Sequence, residues 1–342
     1  QISLSIVYFF QLNVSPCTPE KSGGLTVYKP QVFYPLKADM FILFSSPGVF
    51  EMNSTFLKIP ALIDVYHMES DRLSNGGILF SANFMALHTT DGNNISDTCI
   101  FDLWDVDRIT VAGFTQTSEY DIVFADRFND CLRIYNRLQG TVNKLAGNCN
   151  NLGFRDGTDA LLYRPMTIIQ DNQIPCLFYV TDCLNKALRM VTKSHIPHVT
   201  TLLKSNYKFY SHLTQDPGGR YLYITYTDGL ERYDLVTNAS IDIVSKSTEF
   251  TDDALMYDGA IGTLTSIILY KNWIVVADKS RHVLFVVDLT NNTTSTICTG
   301  LAGHRSGNAS FCQLQYPTKL LELNGNIYIG EERHISMLRG TT

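Results

Sequence analysis

The sequence is poor in charge and lacks long apolar runs. Charged side chains make up 18% of the 342 residues, and the formal net charge is −6. Ordinary globular proteins carry roughly 25% charged residues. No apolar run approaches the roughly 18 residues of a membrane span, and clustered Lys and Arg of the kind that nucleic acids require are missing. With 45% hydrophobic residues, the composition predicts a folded chain with no nucleic-acid partner and no direct membrane insertion.

The short motifs of common enzymes are also missing. There is no C-x-x-C pair, H-E-x-x-H, G-x-S-x-G, P-loop or G-x-G-x-x-G in the sequence. His195 and His198 lie beside Pro197 in a predicted polar turn, without a metal-ligand pattern. These absences favour a protein that is not an enzyme and has no cofactor. A structural calcium ion held by several strands has no sequence signature, so that question stays open.

Cysteine and asparagine usage indicates an oxidising compartment. There are eight Cys, an even number, and seven N-x-S/T sequons, about twice the number that the composition predicts by chance. We therefore expect a secreted or cell-surface protein that is stabilised by disulfides and carries N-linked glycans. The sequons are at Asn13, Asn53, Asn94, Asn238, Asn291, Asn292 and Asn308.

A hairpin pattern recurs along the chain. DIVFADRFNDCLRIY at 121–135 and LFYVTDCLNKALRMV at 177–191 match without a gap: each has an apolar run ending in Asp, an Asn three residues later, and then Leu-Arg. WIVVADKSRHVLFVV at 273–287 repeats this form, and IYIGEERHISML at 327–338 shortens it. Apolar runs around a tight polar turn predict β-hairpins. We interpret the lone Asp of each hairpin as the anchor of its own turn.

A second element precedes three of the predicted strands. In the segments 24–34, 159–169 and 311–321, a Tyr-x-Pro or Tyr-Pro sequence leads into a short apolar run. Proline suits the first residue of a strand, because no ladder hydrogen bond is lost there. The prolines are Pro30, Pro165 and Pro317.

This order of strand, long loop, proline strand and Asp hairpin resembles the NHL repeat of β-propellers, of extracellular type, and more loosely the YWTD repeat. The resemblance is strongest over residues 107–205 and 262–338. It implies four-stranded blades that bury their faces against neighbours. We predict one all-β domain over residues 1–342, a six-bladed β-propeller whose N-terminal strand, at 3–12, pairs with the C-terminal blade.

The first blade of this prediction lies at 31–59. Residues 60–106 show no clear repeat but contain three candidate strands. We interpret this segment as an insertion between the first two blades, and a seventh blade is the alternative.

Four cysteines are predicted to form two disulfides. Cys131 lies at the start of the third strand of its blade and Cys149 just past the fourth, which places them at the same edge of neighbouring strands. Cys298 lies near the end of a fourth strand, and Cys312 lies in the loop that follows. Each pair would clip a loop to its blade.

The pairing of the other four cysteines is less defined. Cys176 and Cys183 lie at opposite ends of one predicted strand, roughly 23 Å apart at about 3.3 Å per residue, which is too far for a disulfide. Cys17 with Cys99 is one candidate pair. Other combinations, and bonds to another chain, stay open.

Candidate contact residues lie in the loops before the proline strands. Sequons at the predicted turns between third and fourth strands would place glycans at the opposite edge of the blades, which leaves these loops freer for recognition. The candidates are Arg155, Asp156, Tyr163, Arg164, His304, Arg305 and Tyr316.

These features favour a non-enzymatic extracellular protein-interaction propeller, acting in adhesion or as a subunit of an extracellular assembly or filament. Its partners would be other extracellular proteins or copies of itself. The alternative is a propeller hydrolase or lyase with a metal ion in a central tunnel. Resemblance to peptide-amidating lyases would imply zinc-binding histidines after the blade prolines, but this chain has Gln31, Met166 and Thr318 there.

Overall fold

The structure is a computed structural model of the chain. Contacts divide it into two compact units: a first unit of Gln1–Asp102 with Ile268–Thr342, and a second unit of Leu103–Ile267. No helix among the described residues is long and apolar enough to cross a membrane. The structure describes residues 4–10, 18–22, 25–29, 51–52, 65–71, 77–82, 86–90, 98–102, 109–117, 120–227, 229–245, 264–290, 293–308, 310–331 and 334–340.

The described elements are β-strands, as expected for an all-β chain. In the N-terminal part of the first unit, four strands in sequence order form an antiparallel sheet, which we call blade I (β5–β8). The strands before residue 103 are β1 (Leu4–Phe10), β2 (Thr18–Ser22), β3 (Leu25–Lys29), β4 (Glu51–Met52), β5 (Val65–Asp71), β6 (Gly77–Ala82), β7 (Ala86–Thr90) and β8 (Thr98–Asp102).

The second unit contains blade II (β9–β12), blade III (β13–β16) and blade IV (β17–β20), each a four-stranded antiparallel sheet in sequence order. The strands are β9 (Phe114–Gln116), β10 (Asp121–Asp126), β11 (Cys131–Asn136), β12 (Thr141–Gly147), β13 (Pro165–Gln170), β14 (Leu177–Asp182), β15 (Ala187–Thr192), β16 (His198–Lys204), β17 (Tyr210–Gln215), β18 (Tyr221–Tyr226), β19 (Gly229–Asp234) and β20 (Ala239–Ser245).

The C-terminal part contains blade V (β21–β24) and a sheet of order β25-β26-β27-β1-β4, which we call the terminal sheet. The strands are β21 (Leu264–Tyr270), which begins in the second unit, β22 (Trp273–Asp278), β23 (Val283–Asp288), β24 (Thr293–Ile297), β25 (Lys319–Leu323), β26 (Asn326–Glu331) and β27 (His334–Gly340).

The prediction of six blades, with seven as the alternative, is wrong. In the described ranges, five sheets have the four-stranded form of a blade. The other large sheet has five strands, and a two-stranded sheet pairs β2 with β3. The segment at 24–34 contributes β3 to that small sheet, and of the blade predicted at 31–59 only residues 51–52 lie within the described residues, where they form β4. Strands β5–β8, which lie between residues 65 and 102 in the segment predicted as an insertion or a further blade, form blade I.

The error has a physical cause. Apolar patterning shows that a segment suits a strand, but strand preference depends on packing neighbours. The neighbour of a strand is set by contacts that can be distant in the sequence, as in the terminal sheet. The single domain over residues 1–342 stays a prediction.

The predicted pairing of the N-terminal strand with the C-terminal sheet is present. Strand β1 runs antiparallel to β27, from Leu4 opposite Gly340 to Phe10 opposite Ile335. It also pairs in parallel with β4. The pairing covers the edge of β27, whose backbone groups would otherwise be open to another strand.

The second strand of a blade forms the centre of the core. In β10, β14 and β18 the last five residues are all buried, so both faces of each strand are covered. This explains why the hairpins have continuous apolar runs in place of alternation. Blades II and III share one apolar cluster that includes Val123, Leu132, Ile168 and Phe178. Burying each of these side chains contributes roughly 1.5–3 kcal/mol.

The two disulfides predicted from loop geometry are confirmed. Cys131 bonds Cys149, with 5.0 Å between Cα atoms, and Cys298 bonds Cys312, with 4.5 Å. The first bond ties the start of β11 to the loop after β12, and the second ties the end of β24 to the loop that follows it.

Two further cysteines in the described ranges, Cys176 and Cys183, are free, the first exposed and the second buried. They flank strand β14, as predicted. Burial raises the pKa of the Cys183 thiol to about 12, so this side chain is a poor nucleophile. Cys17 lies outside the described residues, so its candidate pairing with Cys99 stays a prediction.

Removing the bond between Cys131 and Cys149 should destabilise the chain. The double replacement Cys131→Ala/Cys149→Ala opens a loop with a sequence separation of 18 residues and should lower the free energy of unfolding by about 3 kcal/mol. Urea unfolding under non-reducing conditions measures this loss. Cys176→Ser is the matched control and should leave the unfolding midpoint unchanged. An equal midpoint in all three proteins would show that the bond does not constrain the loop.

Candidate interaction surface

A buried carboxylate ends the second strand of blade III. Asp182 has no exposed surface and accepts hydrogen bonds from the Asn185 amide (2.8 Å), the Tyr163 backbone N–H (2.7 Å) and the Arg189 guanidinium (2.6 Å). Burial raises the pKa of Asp182 to about 6, against the lowering effect of these donors. The predicted anchoring of the turn by its own Asp is confirmed, and the same carboxylate also holds the loop before strand β13.

Blade II repeats this arrangement one blade earlier. Asp126 accepts hydrogen bonds from the Asn129 side chain (2.9 Å) and the Arg133 Nε (2.7 Å). Thr110, in the segment before β9, donates to the same carboxylate from its backbone N–H (2.9 Å) and its hydroxyl (3.0 Å). The repeated Asp, Asn and Leu-Arg of the sequence therefore form the same hydrogen-bonded cluster in both blades.

The buried guanidinium of Arg189 extends the anchor into the loop at 148–164. Its side chain has no exposed surface, and it donates to the backbone carbonyl of Arg155 (2.8 Å) and to the Asp156 carboxylate (2.7 Å). Asp156 also accepts from the backbone N–H (3.0 Å) and hydroxyl (2.8 Å) of Thr201. Burial raises the pKa of Asp156, but the donors from Thr201 and Arg189 outweigh it and the pKa lies below its usual value. Asp156, predicted as a contact residue, therefore fixes the loop.

Blade IV has an equivalent cluster of buried charged groups that is built from different residues. By strand register, Tyr226 takes the place of Asp182 and Glu231 that of Arg189. The cation comes from the preceding loop: Lys208 Nζ lies 3.1 Å from Glu231 Oε2 and 2.6 Å from Asp242 Oδ1. Tyr210 and Tyr226 donate their hydroxyls to Glu231 (2.9 Å) and Asp242 (3.0 Å).

The first unit has a carboxylate at the matching position of the terminal sheet. Glu331 is fully buried and accepts from the backbone N–H of Gln315 (2.5 Å) and from the Ser336 hydroxyl. His304 Nδ1 lies 3.5 Å from the same carboxylate. His304, another predicted contact residue, is therefore turned toward the sheet.

The other predicted contact residues of the first unit also hold the loop at 298–316. The Tyr316 backbone N–H donates to His282 Nδ1 (3.1 Å), and the two rings meet edge to face with centroids 4.5 Å apart. Burial lowers the pKa of His282, which suits a neutral ring that accepts at Nδ1. Arg305 pairs with Gln313 through a backbone bridge.

In the second unit the loops and hairpin turns lie along one edge of blades II–IV. We call this the loop edge; it comprises the turns 127–130 and 183–186, the loops 148–164 and 205–209, and Lys204 at the end of β16. The backbone hydrogen bonds that join turns to loops run from Asn150 to Asn129 (2.7 Å), from Leu184 to Tyr163 (3.1 Å) and from Ser205 to Lys186 (2.9 Å).

Aromatic rings covered by cations project from the loop edge. Phe128 is 46% exposed and Phe154 41% exposed. The Arg164 guanidinium lies 4.6 Å from the Phe128 ring centroid, while Lys204 Nζ (3.3 Å) and the Arg189 guanidinium (4.8 Å) approach the Phe154 ring. Such cation–π contacts contribute roughly 0.5–1 kcal/mol at exposed sites. Leu152 and Tyr207 on the same edge are also exposed.

Sequence reasoning found part of this surface. Arg155 and Arg164 lie on the loop edge as predicted, with the Arg155 Nε donating to the Asp159 carbonyl (2.6 Å), and Tyr163 is half-buried. It missed Phe128 and Phe154, because apolar periodicity assigns an isolated Phe to the core. The signal was available in the position of each Phe in a polar turn or loop between strands.

The described residues contain no group of three or more His, Cys, Asp or Glu arranged to hold a metal ion. Asp126, Asp182 and Glu331 are each occupied by donors from their own blade or loop. This arrangement suits a structural role for these carboxylates.

No family model and no curated protein matches the chain. Solved structures match at the level of the fold. An auxiliary nutrient binding protein from Bacteroides ovatus aligns with a TM-score of 0.65 at 15% identity, over 100% of this chain and 78% of that one. Virginiamycin B lyase from Staphylococcus aureus, a catalytically inactive form solved with quinupristin, aligns with 0.56 at 12% identity, over 99% of both chains. A chain of a nidogen/laminin complex aligns with 0.54 at 11%, over 75% and 86%.

These similarities show a propeller fold. At such low identities they carry no function across, and membership of the NHL family stays a prediction. The fold comparison agrees with the blades described above, whose strands follow one another in sequence order.

Replacing Arg189 by Met should destabilise the chain in a pH-dependent way. Asp182 would either stay charged without its cation or take up a proton, and the lost ion pair should cost about 3 kcal/mol near neutral pH. The pKa of Asp182, already raised to about 6 by burial, should rise further in the folded variant. The folded variant then binds more protons than the folded wild type above about pH 6, so the loss should shrink as the pH falls toward about 5. Urea unfolding of the wild type and the variant near neutral pH and at about pH 5 measures the loss in free energy of unfolding.

Arg220→Met is the matched control. Arg220 pairs with Asp234 at the surface, with 2.8 Å between Nη2 and Oδ2, where solvent screens the charges. This variant should change little at either pH. A loss for Arg189→Met that is independent of pH, or one no larger than that of the control, would contradict the anchoring role.

Proposed function

We propose that this propeller is a non-enzymatic protein-interaction module of the cell exterior, acting in adhesion or as a subunit of an extracellular assembly. The observation that carries the proposal is the loop edge of the second unit. The loop edge exposes large apolar side chains in loops whose positions are fixed by buried ion pairs of blades III and IV. An exposed apolar patch next to charged groups is typical of an interaction site.

The rigidity of these loops supports a binding role. The loop at 148–164 is held by Cys149, by the Asp182 carboxylate and by the Arg189 guanidinium. A loop that is ordered before it meets a partner loses less conformational entropy on binding, which favours affinity. Loops on a rigid scaffold are the usual place for recognition.

The disulfides and sequons support an extracellular location. Disulfides persist in secreted proteins and are rare in the cytosol. Among the sequons, Asn238 is exposed at the turn between β19 and β20, where its side-chain oxygen accepts the Tyr233 hydroxyl (3.0 Å). Asn308 is half-buried and accepts the Ser310 backbone N–H (3.1 Å). The sequons at Asn13, Asn53, Asn94, Asn291 and Asn292 lie outside the described residues.

A hydrolase or lyase that uses a bound metal ion is the second candidate. The fold similarity to virginiamycin B lyase favours it. Metal analysis of the purified native protein separates the two functions: one tightly bound zinc or calcium ion per chain would support the enzyme, and its absence after mild purification would support the binding module.

The proposed function can be tested on the native secreted material. We expect a particle larger than one chain by light scattering, a disulfide-linked Cys131–Cys149 peptide by non-reducing mass spectrometry, and a glycan on Asn238. The replacement Leu152→Ser should dissociate the assembly by removing exposed apolar surface from the loop edge.

Ile196→Ser is the matched control for this experiment. Ile196 is 63% exposed, against 55% for Leu152, but lies in the turn between β15 and β16, away from the loop edge. A strictly monomeric native protein would overturn the proposed assembly, and so would loss of the assembly in the control alone.

A further inference from the structure

We propose that the loop edge binds an acidic polypeptide segment that also carries apolar side chains. The inference rests on the proposed interaction function and names the chemistry of the partner. It stands on three observations from the second unit: the charges of the loop edge, the contrasting charges of the opposite edge, and the type of apolar surface beside the cations.

The cations of the loop edge point to an anionic partner. Lys186 Nζ donates to the Asn206 carbonyl (2.7 Å), the Arg155 Nε donates to a carbonyl, and Lys204 lies over an aromatic ring. Arg164 also lies over a ring, and its charge interacts with the Asp130 carboxylate. The contacts of Lys186, Arg155 and Lys204 do not neutralise their charges. A carboxylate from outside could therefore pair with these cations without displacing an internal ion pair.

Carboxylates within the loop edge balance these cations only in part. Asp156 is occupied by Thr201 and the buried Arg189. Asp130 is buried and accepts the Arg164 backbone N–H (2.8 Å). Asp159, like Asp156, is exposed in the loop at 148–164. The edge therefore has a local excess of positive charge on a chain whose formal net charge is −6.

The opposite edge of the same blades lacks this excess. There, Asp121 lies 3.5 Å from Lys193, and Asp234 lies 2.8 Å from Arg220. Opposite charges on that edge already face each other. The contrast assigns the capture of an anionic partner to the loop edge, because complementary potentials guide an approaching partner to the correct surface.

The apolar groups favour a polypeptide over a sulfated sugar chain. Leu152 is 55% exposed beside Phe154, whose ring is already contacted by two cations. An aliphatic side chain has no flat π face on which a sugar ring would stack, whereas it packs readily against Leu, Val or Phe of a peptide. Tyr207, 67% exposed, adds an anchor of the type enriched in protein interfaces.

The probe for this surface is a fluorescent peptide of about fifteen residues that repeats the triplet Glu-Glu-Leu, titrated with the full chain and followed by fluorescence anisotropy. We expect binding that weakens as salt screens the charges. Lys204→Glu and Arg164→Glu should each weaken binding about tenfold, in the range expected for a lost charged contact. Leu152→Ser should weaken it without changing the salt dependence. Thermal unfolding confirms that each variant is folded.

Lys144→Glu is the matched control, because Lys144 is exposed at mid-strand in β12 and the replacement changes the net charge equally. Peptides that repeat Lys-Lys-Leu or Glu-Glu-Ser test the contributions of charge and apolar content. A heparin fragment tests whether the surface prefers a sulfated sugar chain. Equal affinity in the Lys204, Arg164 and Lys144 variants would overturn the inference. So would tighter binding of heparin than of the peptide, or equal binding of all three peptides.

The native assembly distinguishes this failure from that of the proposed function. If the assembly persists in Lys204→Glu and Arg164→Glu while Leu152→Ser dissociates it, the interaction function stands and the acidic partner is wrong. If the native protein is strictly monomeric, the assembly fails, whatever the peptide does.

Discussion

The interaction on which the second unit most depends is the neutralisation of a buried carboxylate at the root of each blade. Asp126 and Asp182 lie where the second strand ends, and each is contacted by its own turn, by the third strand and by the segment that enters the blade. A buried charge is tolerated only when partners and hydrogen bonds surround it. The polar contacts therefore fix the position of the segment that enters each blade, and with it the position of the loops that form the loop edge.

Blade IV shows that the constraint is on the balance of charge rather than on particular residues. The acid has moved to the third strand as Glu231, and the cation arrives from the entering loop as Lys208. Tyr226 fills the place of the aspartate, and Gly229 makes room for it: a Cβ there would lie 2.7 Å from the Tyr226 hydroxyl. In blades III and IV an ion pair joins the hairpin to the chain that enters the blade, and in blade II an ion pair joins the two strands of the hairpin.

This internal balance determines what the loop edge presents to its surroundings. Because Asp156 and Arg189 are occupied with each other and with the backbone, they are not free to contact a partner. Exposed apolar and cationic side chains, such as Leu152 and Lys204, lie beside them. The same interactions that stabilise the fold thus account for the unusual composition of the proposed binding surface.

The sequence alone determined the features that depend on local spacing. The Asp hairpins, the bonds Cys131–Cys149 and Cys298–Cys312, and the strand that pairs with β27 all follow from apolar runs, turn residues and chain distance. Only the tertiary structure decided how many sheets are four-stranded blades, where residues 65–102 belong, and that Lys208 rather than an arginine balances blade IV. Those features depend on which distant segments meet, and side-chain patterns along one strand carry no record of the strand that will pack beside it.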